Sequence, residues 1–141
     1  MTLYFLGIGF LLFGGLISIF LNEKDKTKLC TVFSGISTLL FLIVSIYVLL
    51  TGNVLVESVK ITPFFNVVDF IIDPLSAFFV IVISIMSFLG VLYSNGYIKP
   101  YFNKGMNLSS HNFFLMTLIA SMIMVVTVHN ALFFLIVWEI M

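Results

Sequence analysis

The chain has 141 residues, of which 62% are hydrophobic and only 9% charged. A soluble domain runs at roughly 45–50% apolar and 25% charged, and one of this length has no interior large enough to hide the excess, so a soluble globular fold is excluded. Six lysines balance six acidic residues and there is no arginine, which gives no basis for a nucleic-acid partner, and none is expected.

The charges divide the chain. Residues 1–22, 29–56 and 74–98 carry none, and residues 105–138 carry only two histidines. A helix needs about 20 apolar residues to cross the hydrocarbon core. In lipid, only helices and closed barrels satisfy their own backbone groups, and these apolar runs lack the alternation of a barrel strand. The expected architecture is therefore all-α: a polytopic membrane bundle of four spanning helices plus a truncated fifth.

Helix 1 is expected over residues 3–21. It has no lysine before its apolar run and no small-residue cleavage site after it, so it reads as a retained helix rather than a signal peptide. Helix 2 follows over residues 29–50. Cys30, the single cysteine, has no partner for an internal disulfide and no metal-site spacing, and it is expected to pack as a small apolar residue. Residues 54–62 and 67–72 are rich in β-branched side chains around Pro63-Phe64-Phe65-Asn66. They predict a short β-hairpin with a turn longer than two residues. Asp73-Pro74 then opens helix 3, over residues 74–97. Asp accepts from orphan amides at a helix start, and Pro suits the first helical position. Helix 4 is expected over residues 111–128, and helix 5 starts near Asn130.

Lys24, Lys26 and Lys28 fall between helices 1 and 2, Lys99 and Lys104 between helices 3 and 4, and only Lys60 on the opposite side. The lysine-rich side is expected to be cytoplasmic, with the N-terminus and the hairpin outside and the protein multi-pass in the inner (plasma) membrane. Gly14/Ser18, Ser34/Thr38 and Gly90/Ser94 are small pairs four apart that suit close helix contact.

The chemically interesting residue is Glu139. Counted from Asn130 it lies nine residues into helix 5, roughly 13 Å along the axis and near the middle of a roughly 30 Å core. A carboxylate there costs roughly 2.5–3.5 kcal/mol. The cost is relieved by taking up a proton or by pairing with a buried cation, and either makes it a group that can hold and release a proton. The plainer reading is that helix 5 starts later and Glu139 lies near the surface. His129, at the junction of helices 4 and 5, is a candidate relay to that carboxylate, although an interfacial cap is the commoner role. His111 reads as a solvated interfacial residue and Asp73 as a cap. The 17 Phe and 5 Tyr are packing and lipid-facing surface. There is no phosphate loop, catalytic triad or metal cluster, so no cofactor is expected.

Three segments in order carry a family resemblance: Ile72-Asp73-Pro74-Leu75-Ser76-Ala77-Phe78-Phe79 at the start of helix 3, Phe113-Phe114-Leu115-Met116 through Ile119-Ala120-Ser121-Met122 in helix 4, and Asn130-Ala131-Leu132-Phe133-Phe134-Leu135-Ile136-Val137-Trp138-Glu139-Ile140-Met141 in helix 5. They resemble the N-terminal part of the antiporter-like proton-pumping membrane subunits. These include the large membrane subunits of NADH–quinone oxidoreductase, the Mrp-type antiporters and the membrane subunits of energy-converting hydrogenases. The Asp-Pro-Leu-Ser-Ala-Phe-Phe and Trp-Glu-Ile-Met segments most resemble the hydrogenase-4 component B type.

The resemblance implies that Glu139 is the helix 5 glutamate, paired in the family with a lysine from a later helix and joined to a chain of buried ionisable groups that moves protons. Redox chemistry would reside in other subunits, so the chain is at most an ion-translocating, non-redox part of an oxidoreductase complex whose partners are other membrane subunits and the bilayer. Family members have about fourteen helices with two inverted repeats of about five. On that comparison residues 1–73 are lead-in helices 1 and 2 plus the hairpin, and residues 74–141 are an incomplete antiporter-like domain. No residue here matches the partner lysine. The expectation is an N-terminal fragment, inactive alone; the alternatives are a non-catalytic membrane scaffold or assembly protein and a gene remnant.

Overall fold

The computed structural model describes residues 1–20, 23–61, 65–98 and 108–141. In chain order they form α1 (Thr2–Ile17), α2 (Glu23–Thr51), β1 (Leu55–Ile61), β2 (Phe65–Ile72), α3 (Pro74–Ile98), α4 (Leu108–Val125) and α5 (Ala131–Ile140). Helix α2 packs on α1, α3 and α4; α1 also meets α4, and α4 meets α3 and α5. Among the described residues, two helical stretches are long and apolar enough to cross a membrane: Lys26–Thr51, of 26 residues, and Pro74–Ile98, of 25.

The bundle is apolar outside, and small hydroxyl residues are buried in its seams among apolar ones. Only 33% and 22% of the most apolar windows of these two stretches are buried, so neither is the core helix of a soluble protein. Leu6, Phe13, Leu39, Phe78, Met86 and Phe114 are exposed, whereas Ser34, Ser45, Ser84 and Ser121 are buried. Small hydroxyl residues at contacts and large apolar ones outside are what a lipid environment selects.

Four helix boundaries differ from the sequence expectation by three residues or more, one being the start of α4 at Leu108 rather than residue 111. Helix α1 ends at Ile17 rather than residue 21. Ser18 closes it, its hydroxyl donating to the Gly15 carbonyl at 2.7 Å. Helix α2 begins at Glu23 rather than residue 29, so Lys24, Lys26 and Lys28 belong to its first turns and not to a loop; Lys and Glu are good helix formers, and hydropathy alone does not see that. Lys99 and Lys104 lie outside the described residues. Helix α4 ends at Val125, not residue 128. Its β-branched run Val125-Val126-Thr127-Val128 peels away to join the sheet, where the Ile71 amide donates to the Thr127 carbonyl and the His129 amide to the Asp69 carbonyl, each at 2.8 Å.

The hairpin is antiparallel, with Leu55 opposite Ile72, Glu57 opposite Phe70 and Val59 opposite Val68, and with an irregularity between Val59 and Ile61. β2 starts at Phe65 rather than residue 67; residues 62–64 of the expected turn lie outside the described residues. Val68, Phe70 and Ile72 alternate inward and are buried. Phe70 packs edge-on against Phe5 and Phe133, with ring centroids 5.2 and 6.0 Å apart. The cap is pinned by a buried hydrogen bond between the Tyr4 and Thr127 hydroxyls.

Turn chemistry follows the residues. Gly52, just past α2, has φ +67°, and its amide reaches back to the Val48 carbonyl at 2.9 Å, the left-handed stop that Gly supplies. Asp73 caps α3 as expected, with the Ser76 amide donating to its carboxylate at 2.7 Å. Hydrogen bonding from Ser76, first from its side chain and then from its amide, holds the Asp73 carboxyl below the usual carboxylate value.

Two of the three small pairs lie on contact faces. A Cβ on Gly14 would sit 2.8 Å from the Phe33 Cβ and Ser18 is buried, as are Ser34 and Thr38. Gly90 faces open space. Cys30 is buried, as its size suggests.

Candidate functional site

Helix α5 sets the site. Asn130 caps it, its side-chain oxygen accepting the Phe133 amide at 3.1 Å, and the preceding residues are held by the sheet through His129 and Val128. This fixed origin and 10 helical residues carry Glu139 roughly 13 Å from the hairpin end of the bundle. Val137 is the buried residue of α5 and turns toward the bundle. Glu139 lies two positions on, roughly 200° around the axis, and is exposed. Leu132, Leu135 and Ile136, seven, four and three residues before it, share its face and are also exposed. The carboxylate therefore stands on an apolar, uncovered face. Phe134 and Trp138 stack beside it, with centroids 6.4 Å apart.

The histidines are elsewhere. His129 is exposed, and its backbone amide donates to the Asp69 carbonyl of β2 at 2.8 Å, so it stands at the hairpin end. Ten residues separate it from Glu139, roughly 15 Å along α5, and the structure does not bring the two together. His111 is exposed at the opposite end, with its Nε2 3.2 Å from the Ser94 hydroxyl. It lines a groove of about 420 Å³ with Phe114, Leu115, Thr117, Leu118, Ile140 and Met141, where the end of α5 approaches the first half of α4.

The described lysines lie at the ends of the bundle. Lys26 donates to the Ser109 hydroxyl at 2.6 Å, and it sits roughly 37 Å along α2 from the hairpin end. Lys28 is exposed two residues further along the same helix, and Lys60 is exposed on β1. Among the described residues, no three His, Cys, Asp or Glu side chains converge to hold a metal ion.

Sequence reasoning missed two buried polar groups, the Asn112 side-chain amide nitrogen and the Ser45 hydroxyl, which have no hydrogen-bond partner among the described residues. The signal for Asn112 was its place about one turn after Ser109, at the polar start of a helix that is mostly apolar beyond it. It also missed the Tyr4–Thr127 bond, because 123 residues of chain separate the partners.

The family model described as the N-terminus of NADH–ubiquinone oxidoreductase (complex I) chain 5 matches residues 60–106. Hydrogenase-4 component B of Escherichia coli (strain K12) is 35% identical over 136 residues, which cover 92% of this chain and 19% of that protein. The chain thus corresponds to less than a fifth of the length of this relative. The family-model match includes the start of α3 and stops short of α5; the match to the relative covers most of the chain.

Proposed function

Since the chain belongs to the antiporter-like membrane-subunit family and matches its N-terminal part, we propose that it forms the head of a proton-translocating subunit in a redox-driven complex of the hydrogenase-4 or NADH–quinone oxidoreductase type. The observation that carries this is Glu139, a lone carboxylate on an exposed apolar face of α5. An acidic side chain at membrane depth faces a partner or a water-filled space rather than lipid. Here the partner is a cation on a helix seated over Leu132, Leu135 and Ile136. The carboxylate takes a proton when that cation withdraws and releases it when the cation returns. His129 at the hairpin end is the candidate that exchanges protons with the medium.

In this reading α1 and α4 span the membrane along with α2 and α3, the lysine-rich end is cytoplasmic, and the N-terminus lies outside the inner membrane. Residues 1–73 are the lead-in part and residues 74–141 the opening of the antiporter-like part. The 141-residue chain alone does not move protons, because the described lysines lie at the ends of the bundle, away from Glu139.

The test is Glu139→Gln within the assembled complex, with redox-driven proton uptake measured in membrane vesicles. Loss of uptake at unchanged chain abundance is expected; unchanged uptake would refute the relay role. The same lysine placement favours a second reading, a non-catalytic scaffold whose apolar α5 face docks a partner helix, and for a scaffold Glu139→Gln is neutral. Proton flux through the chain alone in liposomes, lost on Glu139→Gln, would overturn the claim that it is inactive by itself.

A further inference from the structure

Helix α2 carries Thr27, Thr31, Ser34, Thr38 and Ser45, spaced by four, three, four and seven residues, which keeps them on one face. Thr31 and Thr38 mark that face as the seam with α3. The Asn95 side-chain amide donates to the Thr31 hydroxyl at 2.5 Å, and the Thr38 hydroxyl to the Ser84 carbonyl at 3.3 Å. Thr27, Ser34, Thr38 and Ser45 are all buried.

A row of small hydroxyls is ordinary helix packing, but two orphaned polar atoms are not. The Ser45 hydroxyl, completely buried, makes no bond among the described residues, although a helical hydroxyl normally donates to the carbonyl four residues back, as Thr31 does to Thr27 at 2.8 Å. The Asn112 amide nitrogen is also buried, with no partner among the described residues. Asn112 shares a face of α4 with Ser109, three residues earlier, and Lys26 bonds Ser109, which fixes that face against α2 at the lysine end. Buried polar groups without a protein partner are the usual anchors of internal water.

We propose that the α2 seam is hydrated: water enters beside Lys26, is held by Asn112, and extends along the hydroxyl face to Ser45. The ligand is water itself. The seam is separate from the Glu139 face, and it stands whether or not Glu139 relays protons.

The test uses the full chain in membranes with Cys30→Ala, which removes the native thiol. Single cysteines replace Ser34, Ser45 and, as a lipid-facing control, Leu39, which is 62% exposed. Silver ion, close to water in size and insoluble in lipid, is applied before the protein is unfolded in detergent and labelled with a fluorescent maleimide. Ser34→Cys and Ser45→Cys are expected to lose labelling after silver, and Leu39→Cys to keep it. Adding Asn112→Leu is expected to restore labelling at Ser45→Cys, since the entrance loses its polar anchor. The proposal is overturned if Ser45→Cys resists silver, whether or not Ser34→Cys is blocked, or if Leu39→Cys is blocked equally.

Discussion

A methyl group on Gly14 would lie 2.8 Å from the Phe33 Cβ, whereas a methyl on Gly9, in the same helix, meets nothing within 4 Å. Phe33 cannot relieve the clash by changing rotamer, because its Cβ is fixed to the backbone of α2, so α1 and α2 must move apart. Overpacking of this kind costs about 1–3 kcal/mol. Both substitutions to Ala also gain about 1 kcal/mol of helix propensity, which cancels when they are compared with each other. Gly14→Ala is therefore expected to be about 1–3 kcal/mol less stable than Gly9→Ala, roughly a 5- to 150-fold shift in the unfolding equilibrium. Reversible unfolding in mixed micelles titrated with denaturing detergent, followed by circular dichroism, measures the difference. Equal stability of the two variants, or greater stability of Gly14→Ala, would refute the packing of α1 on α2 described here.

Tyr4→Phe removes the buried bond to Thr127 and should cost about 0.5–1.5 kcal/mol. The lower half of that range is expected, since the Thr127 hydroxyl keeps its bonds to the Ile123 and Met124 carbonyls; the same detergent titration reads it. Phe70→Ala empties the space between Phe5 and Phe133 under the hairpin and should cost about 3–5 kcal/mol, seen as faster proteolysis of β1 and β2 in sealed vesicles whose hairpin side faces the protease. Asp73→Ala removes the α3 cap and should cost about 0.5–2 kcal/mol. The Ser76 bond lowers the Asp73 carboxyl below its unfolded value, so its stabilisation is complete above the unfolded carboxylate pKa near about 4 and disappears as the pH falls through the lower folded value. Stability measured from pH 6 downward should fall in that acid range for the native chain and less steeply for Asp73→Asn.

Much of this protein was legible before any coordinates. The number and order of the helices follow from charge-free apolar runs, because lipid tolerates few other solutions. The hairpin follows from its β-branched segments, and the caps at Asp73 and Asn130 from local chemistry that needs only three or four neighbouring residues. The family is readable from the segments around Asp73-Pro74 and Trp138-Glu139, since a few side chains in fixed order carry it. Helix ends were less legible: hydropathy marks where charge begins, not where hydrogen bonding stops, and so it left Lys24, Lys26 and Lys28 outside α2 and ran α4 on through Val128.

The tertiary structure decided which residues meet. Thr127 leaves its helix because β2 offers its carbonyl a better partner, and Tyr4 reaches it only when α1 and α4 lie side by side. His129 is held at the hairpin end by its amide bond to the Asp69 carbonyl, and most of α5 separates it from Glu139. Asn112 and Ser45 are ordinary letters in a sequence; only burial between helices leaves their polar atoms without partners. Side-chain chemistry and local spacing are properties of the chain, whereas contact between distant segments depends on how whole helices pack, and no short window of sequence contains that.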